Sequence, residues 1–263
     1  MIPPSVADFF SQQQNLLWIL TVCLDLSLTL VMFRLFGKTG LYAVIVLNVL
    51  LCNLQGPKLV YVFGMNTSLG VILYSGIYFA TDLLSERYGK REANRAVMIG
   101  FAANIVVVVV MTLSLLFVPT PVGEKTSKLA ADAHGALSFL FGFTPRFVLG
   151  SMLAYLVSQR HDVWFFHMIK KATRGRHLWL RNTLSTAVSQ AIDTTIYSLV
   201  VWWALLDLGT AIELALFKYV FKLVIAVLDT PFIYWARAWN VTRSDWHDRD
   251  EYADEVTIDQ TTP

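Results

Sequence analysis

This sequence predicts an all-α, polytopic transmembrane helix bundle, on three observations. Hydrophobic residues make up 56% of the 263 residues and charged residues only 15%, against about 25% in a soluble domain. Apolar runs recur at lengths near the ~20 residues that a helix needs to cross a bilayer. Lys and Arg fall almost entirely in alternate connections between those runs.

Taken in order, seven spans are expected. The N-terminal stretch has no Lys or Arg ahead of the first apolar run, so no cleaved signal peptide is expected there. The first span is Leu16 to Phe36. The second runs from Leu41 to about Phe63 but is interrupted by Asn53, Gln55, Gly56, Pro57 and Lys58. Pro57 removes a backbone donor, and irregular backbone at membrane depth is tolerated where it lines a cavity. The interruption therefore reads either as a broken helix beside a binding site or as a helix that ends at Gln55. The third span is Leu69 to Leu84 and the fourth Val97 to Val118. A polar connection with a short amphipathic piece, Pro119 to Pro145, follows. The fifth span is Arg146 to Ile169, the sixth Asn182 to Leu205 and the seventh Ala211 to Trp235. The chain divides into an N-terminal helix (1–38), a core (39–240) and a charged tail (241–263).

Fourteen Lys and Arg lie on one side of these spans and at most four on the other. The positive-inside rule then places the N-terminus outside and the C-terminus in the cytoplasm, which an odd number of spans requires. The net charge of +2 gives no reason to expect a nucleic-acid partner. Cys23 and Cys52 form no CxxC pair, the five His lack metal-ligand spacing, and no HExxH or GxSxG occurs. No metal, cofactor or enzymatic activity is expected.

Eight charged side chains fall inside the spans away from their obvious edges: Asp25, Asp82, Arg160, Asp162, Asp193, Lys218, Lys222 and Asp229. Each costs about 2.5–3.5 kcal/mol at a span centre if it faces lipid, so all are expected to face the bundle interior, although Lys218 could snorkel. Ser-Gln-x-x-Asp occurs twice, as Ser158-Gln159 with Asp162 and as Ser189-Gln190 with Asp193. The i, i+3 spacing puts Gln and Asp on one face of each helix. Counting ~1.5 Å per residue from the shared end of spans five and six, Asp162 and Gln190 lie about 10–12 Å deep, and Gln159 and Asp193 about 15–16 Å. Two cross-helix Gln–Asp pairs are expected, in a pocket with excess negative charge. Amide–carboxylate pairs suit a ligand with a row of donors beside an acceptor, such as a guanine-like edge; a polyamine or a proton path would also fit.

The stretch ATDLLSERYGKREANR (Ala80 to Arg95) resembles the T-D-x-x-x-E-x-Y-G motif of the queuosine precursor transporter family. Ala154 to Tyr197, with both Ser-Gln-x-x-Asp copies and Leu-Trp-Leu-Arg-Asn between them, resembles that family's most specific stretch. Asn53, Lys58 and the run from Lys222 to Pro231 look like family positions too. The resemblance spans about residues 41–238. It implies a six-helix transporter core similar to the binding subunits of vitamin importers, with the first helix as an addition. It implies uptake, across an inner membrane, of 7-cyano- or 7-aminomethyl-7-deazaguanine for tRNA queuosine salvage. It also implies substrate-binding roles for Asn53, Lys58, Asp82, Glu86, Gln159, Asp162, Gln190, Asp193, Lys222 and Asp229, with a gating or structural role open for Glu86. The expected partners are the bilayer and a small 7-deazaguanine, with a homodimer as an option. The competing readings are a subunit energised by an ATPase, an intramembrane enzyme and a proton channel.

Overall fold

The computed structural model describes residues 3–142, 145–202 and 207–239. The predicted tail, 241–263, and the end of the sixth span lie outside the described residues. Mostly helical, the chain begins with a short α1 (Pro4–Gln12) and a long α2 (Gln14–Gln55). Gly37, at φ 56° and ψ −134°, breaks α2 into two arms. That conformation is open to glycine and strained for other residues. The arms fold back on each other: Asn48 donates to Asp25 across them at 3.3 Å, and Asn15 accepts from the backbone N–H of Phe63 at 2.7 Å. They are the first two predicted spans.

The second arm ends at Gln55, not near Phe63. The apolar run beyond it forms an antiparallel hairpin, β1 (Leu59–Val62) with β2 (Met65–Ser68), pairing Leu59 with Ser68 and Val62 with Met65. Phe63 and Gly64 at its tip both have positive φ, 51° and 77°, as a two-residue hairpin turn requires. Short apolar runs do not distinguish strand from helix by periodicity, and the β-branched content of Leu59 to Val62 decides for a strand.

The remaining helices are α3 (Gly70–Arg87), α4 (Gly89–Leu115), α5 (Ser127–Phe141), α6 (Pro145–Ala172), α7 (Leu178–Tyr197), α8 (Leu208–Leu228) and α9 (Thr230–Arg237). A π-helical turn, Ser198–Trp202, extends α7. Three details differ from the expected spans. Helix α4 begins at Gly89, so Lys90, Arg91 and Arg95 sit on a helix and not in a loop. The seventh span is split at Asp229, because Pro231 cannot continue α8. Asp207 caps α8, accepting from the Thr210 N–H at 2.9 Å and from its hydroxyl at 2.7 Å, which holds its carboxyl below the usual range.

Helix α3 is the axis of the bundle, with fifteen of its eighteen residues buried. It packs against both arms of α2 and against α4, α6 and α8. Gly76 makes the first contact close: a Cβ there would strike the Asp25 carboxylate and the Asn48 amide. The first arm docks through a stripe at i, i+4 spacing, Trp18, Val22, Leu26 and Leu30, while Leu20, Leu24 and Leu28 face outward. Helix α4 likewise turns Val106, Val109, Val110 and Leu113 outward. An apolar perimeter of this extent suits lipid, not water. Taken alone, α2 (mean hydropathy 2.2) and α4 (2.5) are long and apolar enough to cross a membrane. The other long helices carry the polar residues of the site.

One end of the bundle is formed by the Gly37 kink, the α3–α4 and α6–α7 turns and α9; the other is formed by the hairpin and α5. Most of the basic residues gather at the Gly37 end. Phe33 stacks on Trp239 there, with ring centroids 6.2 Å apart, and Lys38 pairs with Glu92 at 3.1 Å.

Candidate functional site

Three helices turn a polar stripe inward. On α3 the stripe is Tyr74, Tyr78, Thr81 and Asp82; on α6 it is Ser158, Gln159 and Asp162; on α7 it is Asn182, Ser185, Thr186, Ser189, Gln190 and Asp193. Steps of three and four residues keep each set on one face. Apart from Tyr74, which is half-buried, all of these residues are buried. The stripes define three layers along the bundle axis.

The layer nearest the hairpin is an open cavity of about 430 Å³. Its walls come from the end of α2, the hairpin, α3, α4, the end of α5, α6, α7 and α8. Asn53 lines it and donates to Asn104 at 2.9 Å. On α8, Leu214, Ala215, Lys218 and Lys222 face it. The floor is a charged knot. Asp193 accepts from Lys222 at 2.5 Å and from the Tyr74 hydroxyl at 2.6 Å, and Lys222 also lies over the Tyr74 ring.

Beneath the knot lies a closed layer. Thr81 donates to Gln159 at 3.2 Å, Thr186 to Asp82 at 3.0 Å, and Asn182 to Asp229 at 2.8 Å. Asp162 lies beside Asp82, Ser185, Ser189 and Thr186, but neither of its oxygens meets them in good hydrogen-bond geometry. Both side-chain polar atoms of Gln190, the amide nitrogen of Gln159, one oxygen of Asp82 and the amide oxygen of Asn182 are also buried without a partner. A buried polar group left unpaired costs about 1–3 kcal/mol, so this cluster is the candidate binding site.

The layer at the Gly37 end is an ion network on Glu86. Arg181, itself fully buried, holds both Glu86 oxygens at 2.7 Å. Lys170 at 3.3 Å and Arg237 at 3.4 Å complete it, so one carboxylate joins α3, α6, α7 and α9.

The structure thus gathers Asp82, Gln159, Asp162, Gln190, Asp193, Lys222 and Asp229 in one column with Asn53 above. It does not bring the other two expected residues into that column: Glu86 sits in the ion network, and Lys58 is exposed at the foot of the hairpin. The cross-helix Gln–Asp pairs do not form, since Lys222 and Tyr74 take Asp193. The expected negative pocket is also revised. The charged residues lining the cavity are Asp193, Lys218 and Lys222, and the surplus carboxylates lie in the closed layer below. Lys218 does not snorkel; it lies 4.1 Å above the Tyr197 ring. Arg160 departs from its expectation, being exposed on the perimeter, where its guanidinium lies 3.7 Å from the Met98 sulfur. Tyr74, Tyr78 and Asn104 were not anticipated, because a lone uncharged polar residue in an apolar run carries no cost large enough to flag it; Thr81 and Thr186 stood in the quoted family stretches but were not singled out. Arg181 and Asn182 stood in the quoted Leu-Trp-Leu-Arg-Asn stretch.

A family model described as "Putative vitamin uptake transporter" matches residues 68–236, which contain every residue of the closed layer and all of the ion network except Arg237. The chain is 36% identical over 225 residues to the "Probable queuosine precursor transporter" of Bacillus subtilis (strain 168), covering 85% of this chain and 94% of that protein. It is 27% identical over 172 residues to the "Queuosine precursor transporter" of Escherichia coli (strain K12), covering 64% of this chain and 72% of that protein. No solved structure matches it.

Proposed function

We propose a transport mechanism from the premise that this chain belongs to the family of putative vitamin uptake transporters and is a membrane protein that takes up queuosine precursors. The substrate is a 7-deazaguanine, 7-cyano or 7-aminomethyl, and the closed layer is where its pyrimidine edge binds. One observation carries this: Gln190, Gln159 and Asp162 are buried with hydrogen-bonding atoms unused. A guanine-like edge supplies their complement. Its ring N–H and exocyclic amine donate to the Asp162 carboxylate, and its carbonyl accepts from the amides of Gln190 and Gln159. Asp82 and Asp229, held by Thr186 and Asn182, are the remaining acceptors around it.

The core comprises six spans, namely the second arm of α2 with α3, α4, α6, α7 and α8; the first arm is an added seventh. The basic Gly37 end faces the cytoplasm and the hairpin end faces outward, so the N-terminus is outside. The membrane is the cell's inner membrane. In that frame the cavity opens outward and the Glu86 network seals the inner side, an outward-facing state of an alternating-access cycle. Asn53 and Asn104 line the approach and Lys58 sits at its rim. The substrate passes the Asp193–Lys222–Tyr74 knot to reach the closed layer, with Asp193 and Lys222 still paired. The cycle runs as secondary transport, without an ATPase subunit.

Uptake of labelled 7-cyano- and 7-aminomethyl-7-deazaguanine into cells that cannot make either tests this reading. Accumulation in cells producing the protein, abolished by Gln190→Ala with normal membrane levels, is expected. Equal uptake with and without the protein would overturn it. Uptake that requires a co-produced ATPase would replace secondary transport with an energised binding subunit.

A further inference from the structure

The geometry points to Lys218 as the residue that selects among queuosine precursors by their 7-substituent, favouring a neutral hydrogen-bond acceptor over an ammonium group. This rests on the reading that the pyrimidine edge binds in the closed layer.

The first ground is the charge of the cavity. Of its three charged lining residues, Asp193 and Lys222 neutralise each other at 2.5 Å, and the second oxygen of Asp193 is taken by Tyr74. That leaves Lys218. It has no carboxylate partner among the described residues, and its ammonium rests on the face of Tyr197. The described charged residues of the cavity wall therefore sum to one net positive charge, and the walls are otherwise mostly apolar. In such surroundings a second cation has nothing to screen it.

The second ground is position. Lys218 is one helical turn nearer the cavity mouth than Lys222, on the same face of α8. On α7, Gln190 lies about one turn below Asp193. From Gln190 to Lys218 is thus roughly 10 Å along the axis by helix rise, the scale of a bicyclic base with a short substituent. A base whose pyrimidine edge reaches Gln190 and Asp162 turns its five-membered ring back towards the cavity, and the 7-substituent meets Lys218.

The third ground is chemistry. The ammonium offers three donors and accepts nothing. A nitrile presents a linear acceptor to it and gains a charge-assisted hydrogen bond. An aminomethyl group is itself an ammonium near neutral pH and is repelled. Tyr197 holds Lys218 in place through its ring face, a cation–π contact that leaves the N–H groups directed away from the ring free to donate.

The test is equilibrium binding to purified protein of 7-cyano-7-deazaguanine and 7-aminomethyl-7-deazaguanine, each expressed relative to unsubstituted 7-deazaguanine. In the native protein the cyano compound is expected to bind about ten- to a hundredfold tighter than the aminomethyl compound, the range set by one charge-assisted hydrogen bond. Lys218→Met should bring the two close to equality, and Lys218→Glu should invert the order. A native protein that prefers the aminomethyl compound overturns the inference, as does a preference that survives both substitutions. If none of the three compounds binds, the reading of the closed layer fails; if all bind without a Lys218-dependent ratio, only this inference fails.

Discussion

Replacing Glu86 with Gln should loosen the Gly37 end of the bundle more than any other single change there. Glu86 takes three hydrogen bonds from Arg181, at 2.7, 2.7 and 3.1 Å, and further ion pairs from Lys170 and Arg237. Arg181 is fully buried; it also donates to the carbonyls of Gly175 and Arg176, at 3.1 and 3.2 Å, and lies over the Phe166 ring. The substitution leaves a guanidinium without its counter-charge away from water, and breaking a buried pair in this way costs about 3–5 kcal/mol. Because α3, α6, α7 and α9 all meet at this carboxylate, the loss falls on the Gly37 end of the bundle. Arg181→Met should cost a similar amount. The double variant should cost clearly less than the sum, since both changes remove the same contact. Reversible unfolding of the purified variants in mixed micelles measures all three. Single variants within about 0.5 kcal/mol of the native protein, the scale of an ordinary exposed pair, would refute the network's role, and so would strict additivity.

Three further outcomes are expected. In a protein lacking Cys23 and Cys52, an impermeant thiol reagent outside intact cells should label a cysteine at Ser127 and not one at Thr173; the opposite pattern reverses the orientation. Lys222→Met should strip Asp193 of its counter-charge, lowering both stability and uptake; adding Asp193→Asn should recover stability without uptake, whereas recovered uptake would make the knot a purely structural pair. Gly76→Val should force the first arm of α2 off α3 at a cost of about 1–3 kcal/mol, relieved in part by Asp25→Ala; an undisturbed melting temperature would mean the two helices are not in contact there.

Much of this architecture was legible in the sequence because a bilayer imposes coarse rules. Span length, the position of charges and the sidedness of Lys and Arg located every long helix. What the sequence withheld is azimuth. Counting residues along α6 and α7 gave the depths of Gln159, Asp162, Gln190 and Asp193, but depth does not say which neighbour arrives at that level. Lys222 reaches in from α8 and Tyr74 from α3, and they claim Asp193 before Gln159 can. The same limit explains Arg160: one residue past Gln159 is 100° around the helix, which turns it to the perimeter. The hairpin was hidden for a different reason, since Leu59 to Phe63 is apolar enough to extend a span and too short to reveal its period. The sign of the cavity's charge depended on which carboxylates line it, and spacing alone does not separate the cavity from the layer below.

The central claim is that the closed layer binds a deazaguanine edge, and Asp162→Asn tests it most directly. The Asp162 carboxylate faces Asp82 and has no well-aligned hydrogen bond within the protein. Removing its charge should therefore leave stability unchanged or slightly raised. In the complex it should set a donor against the ring N–H and amine of the ligand, losing a charge-assisted bond of about 1.5–3 kcal/mol, or about ten- to a hundredfold in affinity. Affinity for 7-cyano-7-deazaguanine and thermal stability, measured on the same purified samples, give the answer. Weakened binding at native stability is the predicted result; native affinity in a fully folded Asp162→Asn variant would contradict the account.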